Sequence, residues 1–191
     1  MRLVVGSGAF AAVVALSCTP LIVHEAHAVE RQHKLGLDPS LSMLKVDDKD
    51  SVSVGFGLGL HYSYGINDQF VFMAEGNASI VAAEEKIENP TTPRTRPTEV
   101  DHVAAGVGYV IDVLRWVPYI GVLASGYRLS GGTLDKAIFA PGFALAAGLD
   151  YQLSRHWAIG VAGRQHMLLT EVSTYPSYTT VMLRAEYMWG F

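Results

Sequence analysis

The chain has 191 residues, half of them hydrophobic and only 17% charged, with 19 glycines and a net charge of −4. This length suits one domain, and the charge balance leaves no basic footprint for nucleic acid. Apolar residues recur at every second position through most of the chain, which excludes a mainly helical protein.

The first 28 residues stand apart. Arg2 is followed by a largely apolar run, Leu3 to Val23, and then by Ala26-His27-Ala28, the small-x-small pattern that precedes signal-peptide cleavage. The pattern predicts a signal peptide over 1–28, cut after Ala28, and a mature domain over 29–191. Two other readings of the segment stay open. The run is long enough for an uncleaved anchor, and Ala15-Leu16-Ser17-Cys18 loosely resembles a lipobox, although leucine normally sits one place earlier. Cys18 is the only cysteine, so cleavage after Ala28 leaves a mature chain with no disulfide to form.

The first strand candidate covers 33–44, where Leu35, Leu37, Leu41 and Met43 partly alternate around Pro39. Residues 52–64 alternate most cleanly, with Val52, Val54, Phe56, Leu58, Leu60, Tyr62 and Tyr64 between glycines, serines and His61. Successive strand side chains point to opposite faces, so period two is a strand signal. The same pattern predicts strands over 70–80, 102–111, 139–152, 156–168 and 179–191. Residues 117–128 are strand-like with an ambiguous face, and Pro118 suits a strand end. Eight strands result, the even number that a closed antiparallel barrel with both termini on one side requires.

The links fall into two kinds. Ile66–Asp68, Asp112–Trp116 and Leu153–His156 are tight and contain turn-forming residues. Lys45–Asp50, Ala82–Glu99, Leu129–Ile138 and Leu169–Ser177 are longer, and the two kinds alternate along the chain. Tyr62, Tyr64, Phe70, Phe72, Tyr109, Trp116, Tyr119, Tyr151, Trp157, Tyr187, Trp189 and Phe191 lie near a short link or the C-terminus. Folded up, they predict an aromatic ring at one end, as at a membrane interface. Tyr127, Phe139, Phe143, Tyr175 and Tyr178 predict a thinner ring at the other end.

Alternation alone does not say which row faces out. A soluble barrel would turn its second row to water and fill it with charged residues. Here that row is mostly Gly, Ala and Ser with sparse charges, which suits the cramped interior of an eight-stranded barrel. Each strand also matches the about 9–11 tilted residues that cross a membrane. The apolar row is therefore assigned to lipid. Glu75, Asp150, Arg164, Arg184 and Glu186 then point inward, where isolated charges are costly. A structural polar network of Glu75, Arg164, Arg184 and Glu186 follows, plugging the lumen.

Chemical motifs are few. The Gly55, Gly57, Gly59 series lacks the helix and Lys-Ser/Thr pair of a phosphate loop. His33, His61, His102, His156 and His166 fall on different strands at different heights, so no metal site is expected. His166, Glu171 and Ser173 are the one local cluster resembling hydrolase chemistry, but His166 belongs to the inward row and Gly-x-Ser-x-Gly is absent. No catalytic site and no cofactor are expected. The Ala82–Glu99 link, with Glu84, Glu85, Lys86, Glu88 and prolines at 90, 93 and 97, suits a hydrated segment; any extracellular ligand would be met there.

The terminal strand, Thr179 to Phe191, carries an apolar row of Val181, Leu183, Ala185, Tyr187, Trp189 and Phe191 and stops on an aromatic residue. It resembles the closing strand of bacterial outer-membrane barrels. The chain from His33 to Phe191 resembles the small OmpA/OmpX-type eight-stranded barrels as a whole. The resemblance implies an all-β, up-and-down transmembrane β-barrel in the outer membrane, with lipid around it and both termini periplasmic. It also implies insertion by the barrel-assembly machinery, with Tyr187, Trp189 and Phe191 as the assembly signal. A structural role in membrane integrity is the first expectation. Surface binding through the 82–99 link and small-solute transport are the alternatives.

Overall fold

The computed structural model describes residues 30–46, 51–82, 96–111 and 115–190. Ala26, Ala28, most of the 82–99 link and Phe191 lie outside the described residues. Eight strands, β1 (His33–Val46), β2 (Ser51–Gly65), β3 (Phe70–Val81), β4 (Glu99–Val110), β5 (Trp116–Ser130), β6 (Ile138–Gln152), β7 (Trp157–Leu168) and β8 (Ser177–Trp189), pair in chain order into one closed barrel. Every pairing is antiparallel, and β1 closes on β8 from His33 opposite Trp189 to Lys45 opposite Ser177. Closure removes the free edges that would otherwise invite association.

Period two survives in the burial of nearly every strand. In β8, residues 178, 180, 182, 184, 186 and 188 are buried while Val181, Leu183, Ala185, Tyr187 and Trp189 are exposed. Leu35, Leu37 and Leu41 of β1 and Phe56, Leu58 and Leu60 of β2 are likewise exposed. Large apolar side chains cover the outside while most of the charged side chains of the strands turn inward, which inverts the plan of a water-soluble barrel. Pro39 interrupts the ladder: the β1–β8 register runs to Leu37↔Ala185 and resumes at Ser40↔Met182. The missing rungs are Asp38 opposite Arg184 and Pro39 opposite Leu183, and Pro39 has no N–H to donate.

Inward glycines make room for larger lumen residues. A Cβ on Gly36 would stand 2.4 Å from the His61 ring, and one on Gly148 would stand 2.4 Å from the Tyr119 ring. Gly131 and Gly132, with φ of 74° and 59°, turn the β5–β6 link; this left-handed region favours glycine.

The aromatic rings need correction. Trp116, Trp157, Tyr187, Phe70, Phe72 and Trp189 are exposed at the end where β1 begins and β8 finishes. Trp116–Tyr151, Phe70–Tyr109 and Trp157–Tyr187 pack there as pairs 4.7, 5.5 and 5.3 Å apart. Tyr119 does not join them: it points inward with Val117 and Leu123, on the same parity of β5. At the loop end Tyr127, Tyr175 and Tyr178 are also buried, packed with Leu44, Val46, Val81, Val100, Leu129 and Leu168. These tyrosines close the loop end of the lumen instead of facing lipid. Phe139 remains outside, 73% exposed.

Candidate functional site in the barrel lumen

Inward parity on β1, β2, β3, β6, β7 and β8 places charged side chains around the barrel axis, and tyrosine from β5 reaches between them. Arg164 on β7 grips Glu75 on β3, with Nη2 donating to Oε2 at 2.9 Å and Nε to both carboxylate oxygens at 3.1 Å. Arg184 on β8 donates from Nη2 to Glu186 Oε1 at 2.8 Å, and lies 3.6 Å from both Asp38 Oδ1 and Asp150 Oδ2. The four charges singled out from the sequence thus form two separate pairs.

Tyr119 joins the pairs. Its hydroxyl accepts from Arg184 Nη1 and, at 3.5 Å, from Nη1 and Nη2 of Arg164. The guanidinium carbons lie 5.1 Å (Arg184) and 5.8 Å (Arg164) from its ring centroid, within reach of the cation–π attraction. The Arg184 side of the cluster is the larger. His61 Nδ1 lies 2.7 Å from Asp38 Oδ2 and its Nε2 3.0 Å from Glu186 Oε1, while Lys34 Nζ is 3.7 Å from Glu186 Oε2. An imidazole held between two carboxylates satisfies both only by donating from both nitrogens, as the cation. Lys34, His61 and Arg184 then balance Asp38, Asp150 and Glu186. Such balance is what a charged cluster needs in a poorly solvated interior, because an unmatched buried charge costs several kcal/mol (about 3–5 when one partner is removed).

Lys34, Asp38, His61 and Tyr119 were not foreseen as members. Parity alone offered Lys34, Asp38 and His61, which occupy the row opposite Leu35, Leu37 and Leu60. Nothing local places them at the height of Glu186. Tyr119→Phe keeps the ring and removes the shared acceptor, so we expect a loss of about 1–3 kcal/mol in urea unfolding of the barrel in lipid vesicles. An unchanged unfolding midpoint would remove the hydroxyl from the cluster.

Towards the loop end amide, hydroxyl and imidazole groups take over from the ion pairs. Asn77 donates to Ser40 at 2.9 Å, Ser79 to Asn77 at 2.6 Å and Ser42 to Ser79 at 2.8 Å. His102 and His166 lie at one height with centroids 4.6 Å apart, which corrects the expectation that all the histidines are separated. His166 Nδ1 meets Tyr127 Oη and Nε2 meets Thr180 Oγ1, each at 3.1 Å. His166 is thereby committed to the lumen, while Ser173 is exposed in the β7–β8 link. Among the described residues, no group of three or more His, Cys, Asp or Glu side chains is placed to hold a metal ion.

Among the described residues, the lumen around the charged cluster is closely packed. Beside the charged cluster lies a cavity of about 20 Å³ bordered by Lys34, Ser63, Asp150, Arg184 and Glu186, little more than one water molecule needs. The buried tyrosines and aliphatic residues of the loop end lie across the axis above it. An apolar belt outside, aromatic residues at one end and a filled polar interior define a transmembrane β-barrel of the smallest size.

Residues 9–189 match the family described as outer membrane protein beta-barrel domain, and the chain belongs to that family. Solved barrels resemble it in fold. Neisserial surface protein A is 16% identical with a TM-score of 0.57, the match covering 83% of this chain and 97% of that one. Ail, the attachment invasion locus protein of Yersinia pestis, is 16% identical with a TM-score of 0.54 over 84% and 99%. OprG of Pseudomonas aeruginosa is 13% identical with a TM-score of 0.55 over 85% and 97%. Among curated protein sequences none matches.

Proposed function

We propose that the protein serves as a non-conducting wall element that supports the integrity of the bacterial outer membrane. The observation that carries this reading is the filled lumen, where Arg164, Tyr119 and Arg184 meet across the axis beneath the tyrosine-rich loop end. In this reading the signal peptide is removed after Ala28, both termini face the periplasm, and the four longer links face outward, as loop asymmetry in such barrels suggests. Tyr187, Trp189 and Phe191 act as the signal to the barrel-assembly machinery, and the ion cluster pins the lumen. Catalysis has no part in it.

Planar bilayers and a deletion strain test the proposal together. The purified barrel should give no unitary conductance, and the strain should become sensitive to detergent. Discrete conductance steps would favour the transport reading, and a fully resistant envelope would remove the integrity role.

Surface binding is the second reading. It is favoured by the likeness to Ail, one structure of which is a complex with the heparin analogue sucrose octasulfate. Deleting Glu84 to Pro97 and measuring retention on a sulfated polysaccharide separates the readings, since loss of retention with an intact envelope belongs to surface binding alone.

A further inference from the structure

The inward and outward glycines of the barrel differ in what surrounds them. A Cβ on Gly57 would meet Ser79 Oγ at 2.4 Å, and one on Gly106 would meet the Val122 carbonyl oxygen at 2.0 Å, so the crowded lumen demands glycine. On the outer face, a Cβ on Gly126 would find only Val103 Cγ2 within 4 Å, at 4.0 Å. One on Gly76 would find the His102 carbonyl oxygen and Val103 Cγ1, both at 3.7 Å. Both positions have room for a side chain. A glycine inside a strand weakens it, and the fold of this chain gains no packing in return.

Gly76 and Gly126 belong to one feature. Two adjacent outward rungs cross β2 to β6: Leu58, Ala78, Asp101, Arg128 and Phe139 on one, and Leu60, Gly76, Val103, Gly126 and Pro141 on the other. Together they border an apolar groove of about 800 Å³ in the barrel wall, open to the outside. The rungs begin at mid-strand on β2 and reach the loop end on β5 and β6, where Arg128 is two residues from the last residue of its strand. At that upper end Arg128 Nη1 donates to Asp101 Oδ2 at 3.1 Å, with both side chains partly exposed. Asp101 engages one of the five N–H donors of the guanidinium.

We propose that this groove is a lipid site: it takes an acyl chain of a phosphorylated outer-leaflet lipid along Gly76, Ala78 and Gly126 and holds the lipid phosphate on Arg128. The lining matches a hydrocarbon chain, and the groove ends near the loop-side ends of β5 and β6, where the proposed orientation puts the outer-leaflet headgroups. Arginine matches phosphate oxygens with paired N–H donors. The assignment deepens the membrane-integrity reading and rests on its orientation, with the loop end outermost. A barrel that orders the lipids around it stiffens the leaflet without conducting anything.

The test uses the full barrel in phosphatidylcholine nanodiscs doped with bisphosphorylated lipid A or with its dephosphorylated form, and native mass spectrometry to count retained lipid. The wild type should retain the phosphorylated form preferentially. Arg128→Gln and Gly126→Leu should each lower retention about tenfold, and Asp101→Asn should raise it by freeing Arg128. Gly163→Leu, an outward glycine away from the groove whose Cβ would also meet open space, should leave it unchanged. Each variant is first checked for heat-modifiable migration, and Ala78→Leu replaces Gly126→Leu if the latter does not fold. Equal retention of both lipid forms, no effect of filling the groove, or a protein dimer in place of bound lipid would overturn the assignment. Conductance and detergent sensitivity are read separately, so loss of the integrity role and loss of the lipid site are distinguishable.

Discussion

Arg184→Leu should destabilise the barrel by about 3–5 kcal/mol, an effect of the kind expected when one member of a buried ionic cluster is removed. Arg184 lies against Glu186, Asp38 and Asp150, with only 3% of its side chain exposed. Leucine fills part of the volume but leaves three carboxylates facing two cations, Lys34 and His61, in a space with almost no room for water. The Tyr119 hydroxyl also loses its donor from β8. The measurement is the urea midpoint of the folded barrel in vesicles, together with the temperature at which the fast-migrating folded band is lost. An unchanged midpoint and an unchanged band would show that the cluster does not hold the lumen together. Arg184→Lys should fall in between, since lysine keeps the charge but not the fork that meets several partners at once.

Leu183→Arg is the second large effect and addresses the outer surface. Leu183 sits at the middle of β8, 63% exposed, beside Val161 on β7. In a membrane an arginine at this depth costs about 2–4 kcal/mol, falling to about 0–1 near the interfaces. Leu183→Arg should therefore lower stability in vesicles by that amount, and Trp189→Arg, at the end of the strand, by much less. In a barrel whose apolar face met water, neither position would depend on depth. Equal small effects at both sites would contradict a lipid-facing surface. The two substitutions, one inward and one outward on adjacent residues of β8, probe the two faces of a single strand.

The alternation that assigned Arg184 and Leu183 to opposite faces was already legible in the chain, because the side-chain period of a strand is a local property of the backbone. It also carried the number of strands and the distinction between short and long links. On β5 the same reasoning could not choose. Ile120 and Val122 on one row and Val117, Leu123 and Leu129 on the other are comparably apolar, so a hydrophobic count does not separate them. Pairing with β6 decides it: Tyr119 stands opposite Gly148, whose missing side chain leaves the space its ring occupies. The assignment of Tyr127 and Tyr178 to an outer ring rests only on their place near a longer link, not on the row each occupies. An aromatic residue near a strand end serves equally well as a girdle or as a plug, and only its direction distinguishes the two.

The sequence by itself determined a β-barrel with its apolar row outside, the inward direction of Glu75, Arg164, Arg184 and Glu186, and the likeness to outer-membrane barrels. These follow from periodicity and composition, which neighbouring residues carry between them. Only the tertiary structure decided which of the inward residues meet. Glu75 and Arg164 are 89 positions apart and His61 and Glu186 are 125 apart. Their contact depends on the register of every strand pair between them and on the closure of β1 against β8. The groove over Gly76 and Gly126 has the same origin, since two glycines with room for a side chain become one surface only when β3, β4 and β5 align. Register and closure are properties of the whole sheet, and no short stretch of the chain encodes them.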